Sequence, residues 1–175
     1  RIDFEALQKR FAKQHQHTEA ERLKNAISVR LNRLLRLNPS RTDFYAHFQR
    51  MIDEWNQGAG DVIAFFNQLV EFAQRLTQEE QRHIAENLSE EELAIFDLIT
   101  RPDMKLSAKE KRQAKRVARE LLTKLKSEKL VLDWRKRQAT RAGVRVAIED
   151  AIWQLPDCFS EDLCHQKSAI IYQHV

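Results

Sequence analysis

The chain has 175 residues, of which 32% are charged and 42% hydrophobic, with only three glycines and three prolines. So few turn formers argue against a sheet-rich fold, and no run of about 18 apolar residues exists to cross a membrane. The net charge of +4 is mild but uneven: 105–145 holds 15 Lys or Arg against 4 Asp or Glu, whereas 79–97 holds seven acidic side chains and one basic.

In chain order, the opening Arg1-Ile2-Asp3-Phe4 has neither initiator Met nor a signal-like run, and reads as a piece cut from a longer protein. Helix starts are marked by Ser or Thr with Glu three residues on, a pair that satisfies two free backbone N–H groups of the first turn. The pattern occurs at Thr18–Glu21, Thr77–Glu80, Ser89–Glu92 and Ser107–Glu110. Asn38 before Pro39 predicts another start, as do Asp61 and Ser160.

Apolar spacing agrees. Leu23, Ile27, Leu31, Leu34 and Leu35 mark one face, and Phe44, Phe48, Met51, Ile52 and Trp55 the next. Phe65, Phe66, Leu69, Ala73 and Leu76 follow; then Ala114, Val117, Ala118, Leu121, Leu122 and Leu125; then Val144, Ala147, Ile148, Ala151, Ile152 and Leu155. Each is a one-sided stripe at helical period. The expected fold is all-α, a bundle of about eight or nine helices in two small lobes, 1–100 and 101–175, divided at the Arg101–Lys105 loop. Short loops are expected near 14–17, 37–40, 57–61, 87–89, 100–107, 130–134 and 155–160.

Several chemistries lack their residues. Gly58, Gly60 and Gly143 form no phosphate-cradling loop, since no Gly-Lys pair exists. Gly58-x-Gly60 reads more simply as a helix end. Pro102-Asp103-Met104-Lys105 faintly resembles part of a metal-dependent nuclease motif but has no strand beside it. Cys158, Cys164 and His165 match no common zinc spacing, so a buried thiol and a surface His are expected, with no metal. Two cysteines are too few for a disulfide framework and point to a reducing compartment. No catalytic residue is expected.

The basic stretch stands above this background. Arg112, Lys115, Arg116 and Arg119 fall on the polar side of one helix, and Arg135, Lys136, Arg137, Arg141 and Arg145 form a second cluster beside Trp134. Arg presents a planar fork to phosphate oxygens, and each phosphate neutralised releases condensed counterions. Three readings stay open: nucleic-acid contact, docking on an acidic protein surface, and a solvated helix face. The acidic 79–97 segment is itself a possible partner for these cations. An ATP-like anion is a further candidate ligand.

Two long segments carry a resemblance. Leu88-Ser-Glu-Glu-Glu-Leu-Ala-Ile-Phe-Asp-Leu-Ile-Thr100 and Lys129-Leu-Val-Leu-Asp-Trp-Arg-Lys-Arg-Gln-Ala-Thr-Arg-Ala-Gly-Val-Arg-Val-Ala-Ile-Glu-Asp150 resemble the C-terminal region of the restriction subunit of type I restriction-modification enzymes. Asp3-Phe4-x-Ala-Leu-x-Lys-x-Phe11 and Tyr172-Gln173-His174-Val175 fit the same region. The resemblance implies a non-catalytic helical piece of a large cytoplasmic, prokaryotic subunit whose nuclease and motor domains use ATP and Mg. It implies docking on methyltransferase and specificity subunits, and contact with double-stranded DNA irrespective of sequence. Protein docking without DNA is the alternative. Gly143 stands where a larger helix former is expected, so a break is possible there.

Overall fold

The computed structural model describes residues 4–13, 16–58, 61–101, 104–129 and 134–175, and all regular structure among them is helical. The described residues form α1 (Phe4–Lys13), α2 (Gln16–Leu37), α3 (Thr42–Asn56), α4 (Val62–Ala85), α5 (Glu90–Thr100), α6 (Ala108–Lys124), α7 (Gln138–Ile152) and α8 (Glu161–His174). Short 3-10 turns lie at Pro39–Arg41 and Trp134–Lys136, and a π turn at Leu125–Lys129 extends α6. This is the all-α class that the apolar periods predict.

Caps explain where several helices begin. Ser89 Oγ accepts from the Glu92 amide at 3.2 Å, while the Glu92 carboxylate accepts from the Ser89 amide at 2.7 Å. Ser107 and Glu110 repeat this at 3.3 and 2.7 Å. Ser160 Oγ accepts from the Leu163 amide, and Asn38 Oδ1 from the Ser40 amide, which opens the Pro39–Arg41 turn.

Two predicted starts are instead interior to helices. Helix α2 already begins at Gln16, two residues before Thr18; residues 14 and 15 of the expected loop lie outside the described residues. Thr77 sits within α4, where its hydroxyl donates back to the Ala73 carbonyl at 2.8 Å and Arg30 engages the Glu80 carboxylate. With both members of the apparent box occupied elsewhere, α4 runs unbroken for 24 residues. Gly58, at φ 73°, ends α3 in the left-handed region that suits glycine; Gly60 lies outside the described residues. Helix α7 passes through Gly143 without interruption.

Chain contacts define two compact units, Arg1–Ala85 and Glu86–Val175. The expected division at 100/101 falls inside the second unit, because α5 packs on α6 and α8. Pro102 and Asp103, in that loop, lie outside the described residues. In the first unit, α1, α2, α3 and α4 enclose a core of Leu23, Ile27, Leu31, Phe66, Leu69 and Leu76 with their neighbours. In the second, α5 to α8 enclose Leu93, Ile99, Val117, Leu121, Val144 and Ile148. The apolar stripe of α7 is therefore turned inward, and its arginines outward.

Candidate nucleic-acid interface

The nine predicted contact residues all belong to the second unit, and the structure separates them into two groups. Burial of Ala114, Val117, Ala118 and Leu121 fixes the outer face of α6. On that face Lys111 and Lys115 grip the two carboxylate oxygens of Glu86 at 2.8 and 2.7 Å. Lys115 also donates to the Glu86 carbonyl at 2.8 Å. Arg119 donates to the Asn87 carbonyl, and its Nε lies 4.0 Å from a Glu92 oxygen. Asn87 adopts a positive φ of 54°, a conformation that Asn tolerates better than most residues. Lys126 pairs with Glu91. Burial raises the Glu86 carboxyl, but the hydrogen bonds and charges of Lys111 and Lys115 outweigh it and hold the group below its ordinary value.

Much of the α6 cation row is thus answered by acids from the segment leading into α5. Among the described residues Arg116 has Glu120 as its one ion-pair partner, at 3.9 Å and with both side chains exposed, a geometry that contributes little. Arg112 is exposed and has no charged partner among the described residues.

The α7 group differs. Arg135, Lys136, Arg137, Arg141 and Arg145 are all exposed. None of the four arginines has a carboxylate within ion-pair distance among the described residues. Two are held by rings instead: the Arg135 guanidinium lies 5.4 Å from the Trp134 ring centre, and that of Arg145 lies 5.1 Å from Tyr172. Trp134 and Tyr172 meet edge to face at 5.9 Å. Arg137 occupies the N-cap of α7 without a side-chain cap bond, so the positive end of the helix dipole adds to the same field. Arg141 and Arg145 follow one and two turns later along this helix.

Sequence spacing locates these cations but misses the division between them. Trp134, which sequence places beside the second cluster, is partly buried against the second core and lies under the Arg135 guanidinium. Tyr172 carries no sequence signal beyond the closing motif, because its partner Arg145 lies on another helix.

Elsewhere, no three His, Cys, Asp or Glu gather as around a metal ion among the described residues. Cys164 is buried and Cys158 exposed, both as free thiols. Burial and then Glu110 push the Cys158 thiol up, and burial and then Glu161 do the same at Cys164. His165 meets the Trp153 ring edge to face at 5.6 Å. No helix of the described residues is long and apolar enough to cross a membrane.

Comparison with known proteins gives one family. The family model described as type I restriction enzyme HindI endonuclease subunit-like, C-terminal, matches residues 1–155. No curated protein and no solved structure matches.

Proposed function

The chain belongs to the family of C-terminal domains of type I restriction enzyme HindI endonuclease subunit-like proteins, and from that premise we propose that it is a non-catalytic module for assembly and DNA contact. In this reading it helps to seat the nuclease and motor subunit on the methyltransferase and specificity subunits. Its cations meanwhile touch the DNA backbone without reading sequence. ATP and Mg belong to other domains of the parent subunit.

The observation that supports this most is the contrast between α6 and α7. Cations that serve only to balance the chain's own acids look like Lys111 and Lys115, each on Glu86. Arg135, Arg137, Arg141 and Arg145 have no such carboxylate among the described residues and remain exposed. The proposed footprint is therefore centred on these four arginines, joined by Arg112 and Arg116; Lys136 adds its charge beside them, and Lys115 and Arg119 play a smaller part.

Duplex binding by the chain is expected to be weak and steeply salt-dependent, with log K against log salt falling by about 0.9 per phosphate neutralised. Replacing Arg135, Lys136, Arg137 and Arg141 by Ala should flatten that slope and leave the helical circular dichroism unchanged. Binding indifferent to salt, or a slope unmoved by the four substitutions, defeats the DNA reading.

One observation favours protein docking without DNA. Val146 on α7 and Trp153, which caps the C-terminal end of that helix, are 54% and 52% exposed. Large apolar side chains on one exposed face suit a protein partner better than phosphates. Pull-down by the methyltransferase and specificity subunits, with and without Val146→Ser and Trp153→Ser, separates the two readings.

A further inference from the structure

We infer that Trp134 and Tyr172 are positioning residues that orient Arg135 and Arg145 as two prearranged forks for phosphodiester oxygens. The inference rests on the DNA reading above and deepens it by naming what orients the cations. Each guanidinium lies over its ring, 5.4 Å from Trp134 and 5.1 Å from Tyr172. A guanidinium held over a ring is attracted by the ring's π face and needs no carboxylate, which leaves N–H donors for a phosphate. Neither arginine has a carboxylate partner among the described residues to compete for those donors.

The rings are themselves fixed. Trp134 opens the turn before α7, Tyr172 stands on α8, and the two meet edge to face at 5.9 Å, both packed against the second core. One aromatic pair therefore ties two arginines, ten positions apart in sequence, to the folded body. Arg side chains held this way lose less rotamer freedom on meeting a phosphate than unanchored ones, which is the physical sense of preorganisation. Glu149, His165 and Ser168 also line the groove of about 420 Å³ beside Arg145 and Tyr172. Glu149 disfavours an anion entering that groove, so a phosphate is expected at the guanidinium edges facing away from it.

The test keeps charge constant. Arg135→Lys, Arg145→Lys and the double variant are compared with the wild-type chain for binding to a short DNA duplex, by affinity at fixed salt and by salt slope. Lysine keeps the charge and loses both plane and fork. The double variant is expected to bind about tenfold more weakly with an unchanged slope. Tyr172→Phe, which keeps the ring, should bind as wild type, while Tyr172→Leu should weaken binding as Arg145→Lys does. If the lysine variants match wild type, the cations act as point charges and the positioning role is overturned, although the DNA reading stands. If the wild-type chain binds no DNA, both fall.

Discussion

Arg41 is only 1% exposed, yet it carries a charge. Its Nε donates to Glu79 at 2.9 Å and its Nη1 to the Leu34 carbonyl at 3.4 Å, while Arg82 holds the other Glu79 oxygen at 2.9 Å. Removing one member of a buried ionic group leaves the other desolvated, which costs more than the pair contributes. Arg41→Ala should therefore destabilise the first unit by about 3 kcal/mol, read as a lower urea midpoint, with Arg41→Met milder because it refills the space. A loss as small as that of an exposed arginine would refute this account. Nothing in the sequence marks Arg41, since it sits in a 3-10 turn outside any helical stripe. Lys167 is equally illegible: it stands on the inner side of α8, donates to the Arg101 carbonyl, and its ammonium pKa is lowered by burial. Charged side chains read as outer-face residues until the packing of a second helix is known.

Between elements, the decisive relation joins α6 to the acids before and at the start of α5. Glu86 anchors Lys111 and Lys115, and their charges lower its carboxyl pKa despite burial. A carboxylate with a depressed folded pKa stabilises the fold above its unfolded value, and that contribution is lost as pH falls through the folded value. Neutralising it also frees two ammonium groups. Glu86→Gln should thus lower stability by up to about 1 kcal/mol and raise DNA affinity roughly fivefold at low salt, measured by thermal melting and by titration with the same duplex. Unchanged or weaker affinity would mean that α6 does not share the DNA surface. The helices themselves were largely readable: the stripes on α2, α4, α6 and α7 are the buried faces, and Ser89, Ser107 and Ser160 cap as their spacing implies. Thr77 misleads because Thr followed by Glu also occurs inside helices, where here the hydroxyl bonds back to Ala73 and the Glu80 carboxylate reaches Arg30 on another helix; Thr18 lies in the first turn of α2, and Glu21 pairs with Lys24 on the same helix.

At the scale of the molecule, the division at Ala85 and Glu86 assigns α5 and the basic helices to one unit with its own core. Residues 86–175 produced alone should fold to a helical state with a cooperative thermal transition and keep the salt-dependent duplex binding of the whole chain. Loss of that binding with the fold intact would place part of the contact surface in residues 1–85. The Arg101–Lys105 loop looked like a boundary because its proline and composition interrupt the helical pattern, but a local interruption says nothing about which helices share a core. The candidate site was half legible for a related reason: spacing places arginines on a helix face, whereas their pairing depends on elements far away in sequence. Such self-pairing has a practical consequence. A surface carrying all its cations unanswered would adhere to any polyanion in its surroundings, RNA included. With Glu86, Glu91 and Glu92 tethering part of one row, such adhesion should be curbed, and in the proposed DNA reading the exposed arginines of α7 would carry most of the retention.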